Sequence, residues 1–184
     1  MKQLEDSILN FIQTINKYPQ EEFLGFKNGG VRYRSESVNL QVDEKIYLSP
    51  ELQFFYEHCE IICDTREDGF ELKRTSVSIG NLDIDLWSPE GLVSAQDGYR
   101  WNARDGKEDP SWSPFWLVIG GMDGDPIVVV TDKEGSPVMA SYETGDLMPI
   151  ANSLAEFLDY FVILFELIHG KYNGKIKDDE SFEL

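Results

Sequence analysis

The spacing of hydrophobic residues predicts a helix near each end of the chain. Apolar side chains recur every three or four residues over positions 3–17, which is the period of an amphipathic helix. Towards the C-terminus, Ser153 and Glu156 form a capping box that opens a second helix, which Gly170 ends. The middle of this helix, FVILF, is apolar on nearly every side. It must therefore be covered by the core on two sides or by a second subunit.

Two further helix starts are marked by the tripeptide SPE. At 49–51 it supplies a hydroxyl cap, a proline at the first helical position and an acid near the positive helix end. The apolar face that follows consists of Leu52, Phe55, Tyr56 and Cys59. At 88–90 the same tripeptide predicts only a short helix, because Gly91 lies inside it.

Alternating or continuous runs of β-branched, aromatic and aliphatic residues predict strands between the helices. The runs lie at 38–42, 60–64, 70–73, 82–86, 115–119, 126–131 and 136–142. The last three are closely spaced and predict an antiparallel meander. In the run 82–86, Asn81, Asp83 and Asp85 alternate with apolar residues, which places both aspartates on a wet face in a solvating role.

The predicted elements describe an α+β fold with a mainly antiparallel sheet and helices packed around it. We expect one domain over residues 1–170, in which 1–46 form the N-terminal helix and an extension, followed by a polar tail at 171–184.

The segment GGMDGDP at 120–126 could be a ligand loop or a hairpin turn. With Asp123 as the first position of a calcium loop, Asp125 fills the third, but Ile127 and Val128 fall where an oxygen ligand and a glycine are needed. A strand follows the segment, so no helix N-terminus is available for a phosphate. A turn is the better interpretation, since Gly and Asp supply the backbone angles of tight hairpins.

The charge balance limits the classes of partner. The chain has sixteen basic and thirty-four acidic residues, which gives a formal charge of -18. This charge argues against binding to nucleic acid or an anionic membrane. The acids either solvate the surface or steer a basic partner. The longest apolar run is too short for a bilayer span, and two cysteines form no disulfide framework. We therefore expect a cytoplasmic protein.

The residues indicate no cofactor, metal or catalytic group. His58, Cys59 and Cys63 match no common zinc spacing, and a packed thiol explains Cys59. No nucleophile motif is present, and acid pairs arise by chance among so many carboxylates. Four tryptophans within thirty residues are either core residues or binding hot spots: Trp87, Trp101, Trp112 and Trp116.

Four segments in order resemble the SUKH superfamily, which contains yeast cell-wall-assembly regulators and many bacterial immunity proteins. They are YLSPELQFFYEHC (47–59), WSPFWLVIGGMDGDPIVVVT (112–131), GSPVMASYE (135–143) and IANSLAEFLDYF (150–161). The resemblance implies an α+β domain and a non-enzymatic role, in which many bacterial members bind and neutralise a toxin domain, often a nuclease.

An acidic protein of this kind suits a basic toxin domain. The residues predicted to contact this partner are Asp83, Asp85, Trp101, Trp112, Asp123 and Asp125. The chain could act as a monomer or a homodimer. Two alternatives remain: a regulatory scaffold that binds several proteins, and a small hydrolase that uses paired carboxylates.

Overall fold

The computed structural model describes residues 1–18, 26–79, 82–102, 104–122, 124–141 and 146–171. The helices are α1 (Lys2–Lys17), α2 (Pro50–His58), α3 (Leu92–Ala95), which follows a 3-10 turn at Pro89–Gly91, and α4 (Leu154–Ile168). The strands are β1 (Phe26–Lys27), β2 (Gly30–Tyr33), β3 (Cys59–Ile62), β4 (Thr65–Arg66), β5 (Arg74–Ile79), β6 (Leu82–Trp87), β7 (Trp116–Met122), β8 (Asp125–Val130), β9 (Val138–Ala140) and β10 (Met148–Ala151). The predicted positions Asn81 and Tyr142 and nearly all of the tail, 172–184, lie outside the described residues.

The α+β fold is confirmed, with one six-stranded antiparallel sheet at its centre. Its strand order is β10-β9-β8-β7-β6-β5, and β1-β4 and β2-β3 form two small antiparallel sheets. Helices α1, α2 and α4 cover one face of the sheet, which we call the inner face. There they enclose the main core with the inward side chains of the strands. The opposite, outer face carries a smaller apolar cluster under α3 and the loop after it.

The predicted helix starts at Ser49 and Ser153 are present with the expected caps, whereas Ser88 opens a 3-10 turn without a side-chain cap. The Ser49 hydroxyl accepts a hydrogen bond from the Leu52 N–H at 3.2 Å, and the Ser153 hydroxyl accepts one from the Glu156 N–H at 3.1 Å. The Glu156 carboxylate accepts the Asn152 N–H at 2.5 Å, one residue before the cap. These bonds satisfy donors that a helix start would otherwise leave unpaired.

Three predictions in the N-terminal half need correction. Residues 38–42 form no strand: Leu40 and Val42 pack against the core, but the segment pairs with no strand in the described part of the chain. Of the predicted strand 70–73, only Glu71 bridges, to Thr65, and the strand begins at Arg74. Cys59 is buried as expected, but it opens β3 after the helix has ended. Alternating apolar residues do not by themselves show that a strand is present, since Val38 and Phe70 are exposed.

The segment GGMDGDP is mostly strand. Met122 pairs with Asp125, so only residues 123 and 124 separate β7 from β8, and Gly124 has φ +93°. Gly120 and Gly121 do not form a turn; they let neighbouring strands approach closely. A Cβ at Gly120 would lie 2.5 Å from the Asp85 carbonyl oxygen on β6, and one at Gly121 would lie 3.0 Å from the Asp125 carbonyl oxygen. The hairpin was predicted correctly, but not its length.

A buried glutamine completes strand β7 beside a bulge. The β7–β8 register shifts between Val118 and Gly120, and pairing with β6 reaches only from Met122 to Gly120. At Val118 the fully buried Gln96 side chain makes the hydrogen bonds that strand β6 would otherwise make. Its amide N–H donates to the Val118 carbonyl at 3.0 Å, and its oxygen accepts the Val118 N–H at 3.1 Å. Gln96 thus continues the ladder where β6 has ended.

Replacing Gln96 with leucine should destabilise the fold, because both backbone groups of Val118 would lose their partner. We expect Q96L to lower the free energy of unfolding by about 2 to 4 kcal/mol, measured by urea denaturation. The matched substitution Gln53→Leu, at an exposed helix position, should change it by less than about 0.5 kcal/mol. Equal effects of the two would contradict this role for Gln96.

Candidate protein-binding surface

Asp83 and Asp85 lie together on the outer face, in cross-strand pairs with β5. The Ser78 hydroxyl donates to Asp83 at 2.6 Å, and the Ser76 hydroxyl donates to Asp85 at 2.7 Å. Asp85 also forms an ion pair with Arg74 at 2.8 Å, and its side chain is 27% exposed. The prediction of a purely solvating role is therefore wrong for Asp85. This carboxylate joins two strands.

Burial raises the pKa of Asp85, although the Ser76 hydroxyl and the Arg74 guanidinium act in the opposite direction. Negative charge on Asp64 and Asp83 raises it further. The ionised form is thus less favourable in the folded protein than in the unfolded chain. Asp85 is consequently a weaker candidate for attracting a distant basic partner than its sequence position indicates.

An aromatic cluster covers the other part of the outer face. The Trp112 ring packs 5.6 Å from both Tyr99 and Trp116, centroid to centroid, and its indole N–H donates to the Trp116 carbonyl at 3.0 Å. The Tyr99 hydroxyl donates to the Gly124 carbonyl at 2.6 Å. These contacts attach the loop after α3 to the end of the β7–β8 hairpin. Trp112 is therefore half-buried and structural.

Trp101 belongs to a different part of the molecule. It packs against the main core, and the Arg100 guanidinium lies 5.0 Å from its ring centroid. It also lines an open cleft of about 620 Å³ whose lining residues belong to 98–102 and 104–110. In this cleft Lys107 and Ser111 hold the pKa values of Asp105 and Asp109 below their usual range.

An apolar groove lies between the inner face and α4, next to the hairpin end. Its volume is about 240 Å³. It is lined by Ile84, Met122, Asp125, Pro126, Ile127, Ala140, Ser141, Ile150, Phe157, Tyr160, Phe161 and Leu164. Ile150 is 41% exposed and Leu164 36%, and Met148, which pairs with the lining residue Ala140, is 64% exposed. Exposed apolar residues that adjoin a concave apolar surface are typical of interaction sites.

Two polar side chains interrupt the apolar lining. Ser141 is 5% exposed, and its hydroxyl has no hydrogen-bond partner among the described residues. Asp125 is half-buried where β8 begins. Burial raises the pKa of the Tyr99 hydroxyl, and the negative charge of Asp125 raises it further. The groove lining thus contains one buried hydroxyl without a partner among the described residues, and one carboxylate.

The structure does not bring the six predicted contact residues to one surface. Asp83, Asp85 and Trp112 lie on the outer face, Trp101 packs against the main core, and Asp125 lines the groove. Asp123 lies outside the described residues. The predicted set therefore divides among three regions, of which the groove combines a concave apolar lining with exposed apolar neighbours.

Sequence reasoning missed most of the groove. Leu164 belongs to the segment FVILF, whose all-round apolar character was a usable signal: Phe165 enters the core, Phe161 is buried and also lines the groove, and Leu164 lines the groove. The short strand at 148–151 was not predicted, and no motif marks Ser141. These groups meet only because the sheet and α4 bring distant segments together.

Other site types have no support in the part of the chain described above. No group of three or more His, Cys, Asp and Glu side chains is arranged there to hold a metal ion. The Nδ1 atom of His58 contacts the Arg34 carbonyl oxygen at 2.9 Å, and Cys59 is buried. Among the helices of these ranges, none has the length and apolar character needed to cross a membrane.

Comparisons with known proteins assign no relative: no family model matches the sequence, and no curated protein or solved structure matches it significantly.

The raised pKa of Asp85 predicts a pH-dependent stability difference. A folded-state pKa above the unfolded value means that ionisation costs stability as the pH rises from about 3.8, the ordinary value, through the folded pKa. The variant Asp85→Asn avoids this cost. Its stability relative to the parent protein should therefore increase from low pH towards neutral pH, as measured by urea denaturation across this range. A relative stability that falls with rising pH would show that the Arg74 ion pair outweighs burial.

Proposed function

We propose that this chain is a non-enzymatic protein-binding domain that neutralises a basic partner, namely a toxin domain of the kind implied by the resemblance to SUKH immunity proteins. Its binding surface would be the apolar groove and the exposed residues beside it.

The observation that carries this proposal is the combination of a concave apolar lining with exposed apolar neighbours. Met148, Ile150 and Leu164 would each gain burial on contact with a partner, and a buried apolar side chain contributes about 1.5 to 3 kcal/mol. Phe157 and Phe161 are already held in the core beneath them. Such a preorganised surface loses little conformational freedom on binding.

The charge of the chain favours a basic partner. The chain has thirty-four acidic and sixteen basic residues, so eighteen carboxylates would have no cation of their own even if every Lys and Arg paired with a different acid. Excess charge of one sign speeds the encounter with a partner of the opposite sign. The apolar residues would then provide the affinity, and the acids would raise the association rate and the selectivity for basic partners.

The described carboxylates do not favour the hydrolase alternative. Asp125 is the one carboxylate among the described residues that line the groove, whereas glycoside-type hydrolysis uses two. In the 98–110 cleft, hydrogen bonds lower the pKa values of Asp105 and Asp109, and a general acid needs a raised pKa.

The proposal is tested by co-expressing the chain with the product of the gene next to its own. We expect rescue of growth if that product is toxic, and a complex whose affinity falls with added salt. Absence of both rescue and complex formation at low salt would overturn the proposed function.

Within that complex, the two neighbouring positions Leu164 and Ile168 of α4 separate groove binding from charge effects. Both are partly exposed, at 36% and 43%, but only Leu164 is a groove residue. Leu164→Lys should weaken binding by at least about tenfold, since it removes a central apolar contact. Ile168→Lys adds the same charge on the same helix and should change the affinity much less. Isothermal titration calorimetry would compare them, and equal losses would place the interface elsewhere.

A further inference from the structure

The volume, the apolar lining and the polar groups of the groove indicate which kind of side chain would bind in it. We infer that it receives one large apolar side chain from a basic segment of the partner, whose backbone bonds to the Ser141 hydroxyl and whose Lys or Arg pairs with Asp125. This inference rests on the proposed function and names the partner's binding segment.

The volume limits the guest to a side chain. Pockets for drug-sized ligands measure about 300 to 1,000 Å³, and this groove measures about 240 Å³. Its floor is formed by aliphatic residues of the sheet, and the two phenylalanines of α4 form one wall. A phenylalanine, leucine or methionine side chain meets both requirements.

Ser141 provides the independent observation that points to a ligand. A buried hydroxyl without a hydrogen-bond partner costs stability, and native proteins keep few such groups. Here the hydroxyl belongs to a residue that lines the groove. A guest with a backbone N–H or C=O beside its apolar side chain would satisfy it. An apolar guest without such a group would not.

The negative charge at the groove favours a basic residue in the partner's binding segment. Asp125 is the one charged residue among the described residues of the lining. Tyr160 also contributes to the wall, and its hydroxyl donates to Glu156 at 2.7 Å, so a second carboxylate lies behind it. A Lys or Arg next to the apolar side chain would meet negative charge, whereas an Asp or Glu there would be repelled.

The strand at the sheet edge favours side-chain insertion over strand addition. Strand β10 lies at the edge of the six-stranded sheet formed by the described residues, but Pro149 lies within it and has no N–H to donate to an added strand. The β9–β10 register also shifts between Pro149 and Ala151. A partner segment at this edge would therefore be held mainly by side chains.

The test uses short fluorescent peptides with lysines on both sides of a central phenylalanine, and the full chain. We expect saturable binding of this peptide by fluorescence anisotropy. A peptide with serine in place of the phenylalanine, or glutamates in place of the lysines, should bind at least about tenfold more weakly. Equal binding of the serine peptide would overturn the inference, because the affinity would then come from charge alone.

Two variants examine the polar contacts. Ser141→Ala should raise the melting temperature by about 2 to 4 °C, since it removes an unsatisfied hydroxyl, and should weaken peptide binding about three- to tenfold. Ser88→Ala, at another buried serine that lies outside the groove, should leave binding unchanged. A merely structural Ser141 would change stability without changing affinity, which would contradict its assigned contact.

Asp125→Asn should weaken binding about two- to fivefold and reduce its dependence on salt. The exposed Asp132→Asn, in the turn after β8, removes the same charge away from the groove and is the control. If the co-expressed protein binds but Ser141→Ala and Asp125→Asn leave its affinity unchanged, the inference fails and the proposed function stands. If no protein partner exists but the phenylalanine peptide binds as expected, the proposed function fails instead.

Discussion

The close approach of strands β6 and β7 at Gly120 determines how the central sheet is paired around the hairpin. Any side chain there would meet the Asp85 carbonyl, since a Cβ would lie 2.5 Å from its oxygen. Because Gly120 allows the contact, β7 can pair with β6 up to Met122 and with β8 on its other side. Pairing between β7 and β6 ends at the bulge before Gly120. The Gln96 side chain then supplies the hydrogen-bond partners for the backbone of Val118. The same hairpin then places Met122 and Asp125 at the groove.

Much of this fold could be predicted from the sequence where local chemistry determines structure. The serine caps at 49 and 153 and the meander after residue 115 depend on neighbouring residues alone, and the structure contains them. The alternating segment 38–42 was misread because alternation reports one-sided burial and does not reveal whether a partner strand is present. Gln96 could not have been found, since a polar residue in a loop has no pattern that marks its burial. Only the tertiary structure brings its amide to Val118.

The candidate site was harder to predict for a related reason. Acidic and aromatic residues were chosen one at a time, and strand alternation correctly placed Asp83 and Asp85 on the same face. It could not show that Ser76 and Arg74 occupy the polar atoms of Asp85. The groove joins residues from β6, the β7–β8 hairpin, the β9–β10 region and α4. Its apolar character was visible only in FVILF, where an apolar helix with no polar side indicated a second covered surface.

Hydrogen–deuterium exchange of the chain, alone and bound to the protein captured by co-expression, would show whether the partner binds at the groove. We expect slower exchange on binding at the end of the β7–β8 hairpin, in β10 and in the half of α4 that contains Leu164. The 98–110 loop and the β5–β6 pair on the outer face should exchange at unchanged rates. Protection confined to β5, β6 or the 98–110 loop would contradict the account, because the partner would then occupy the outer face or the cleft and leave the groove empty.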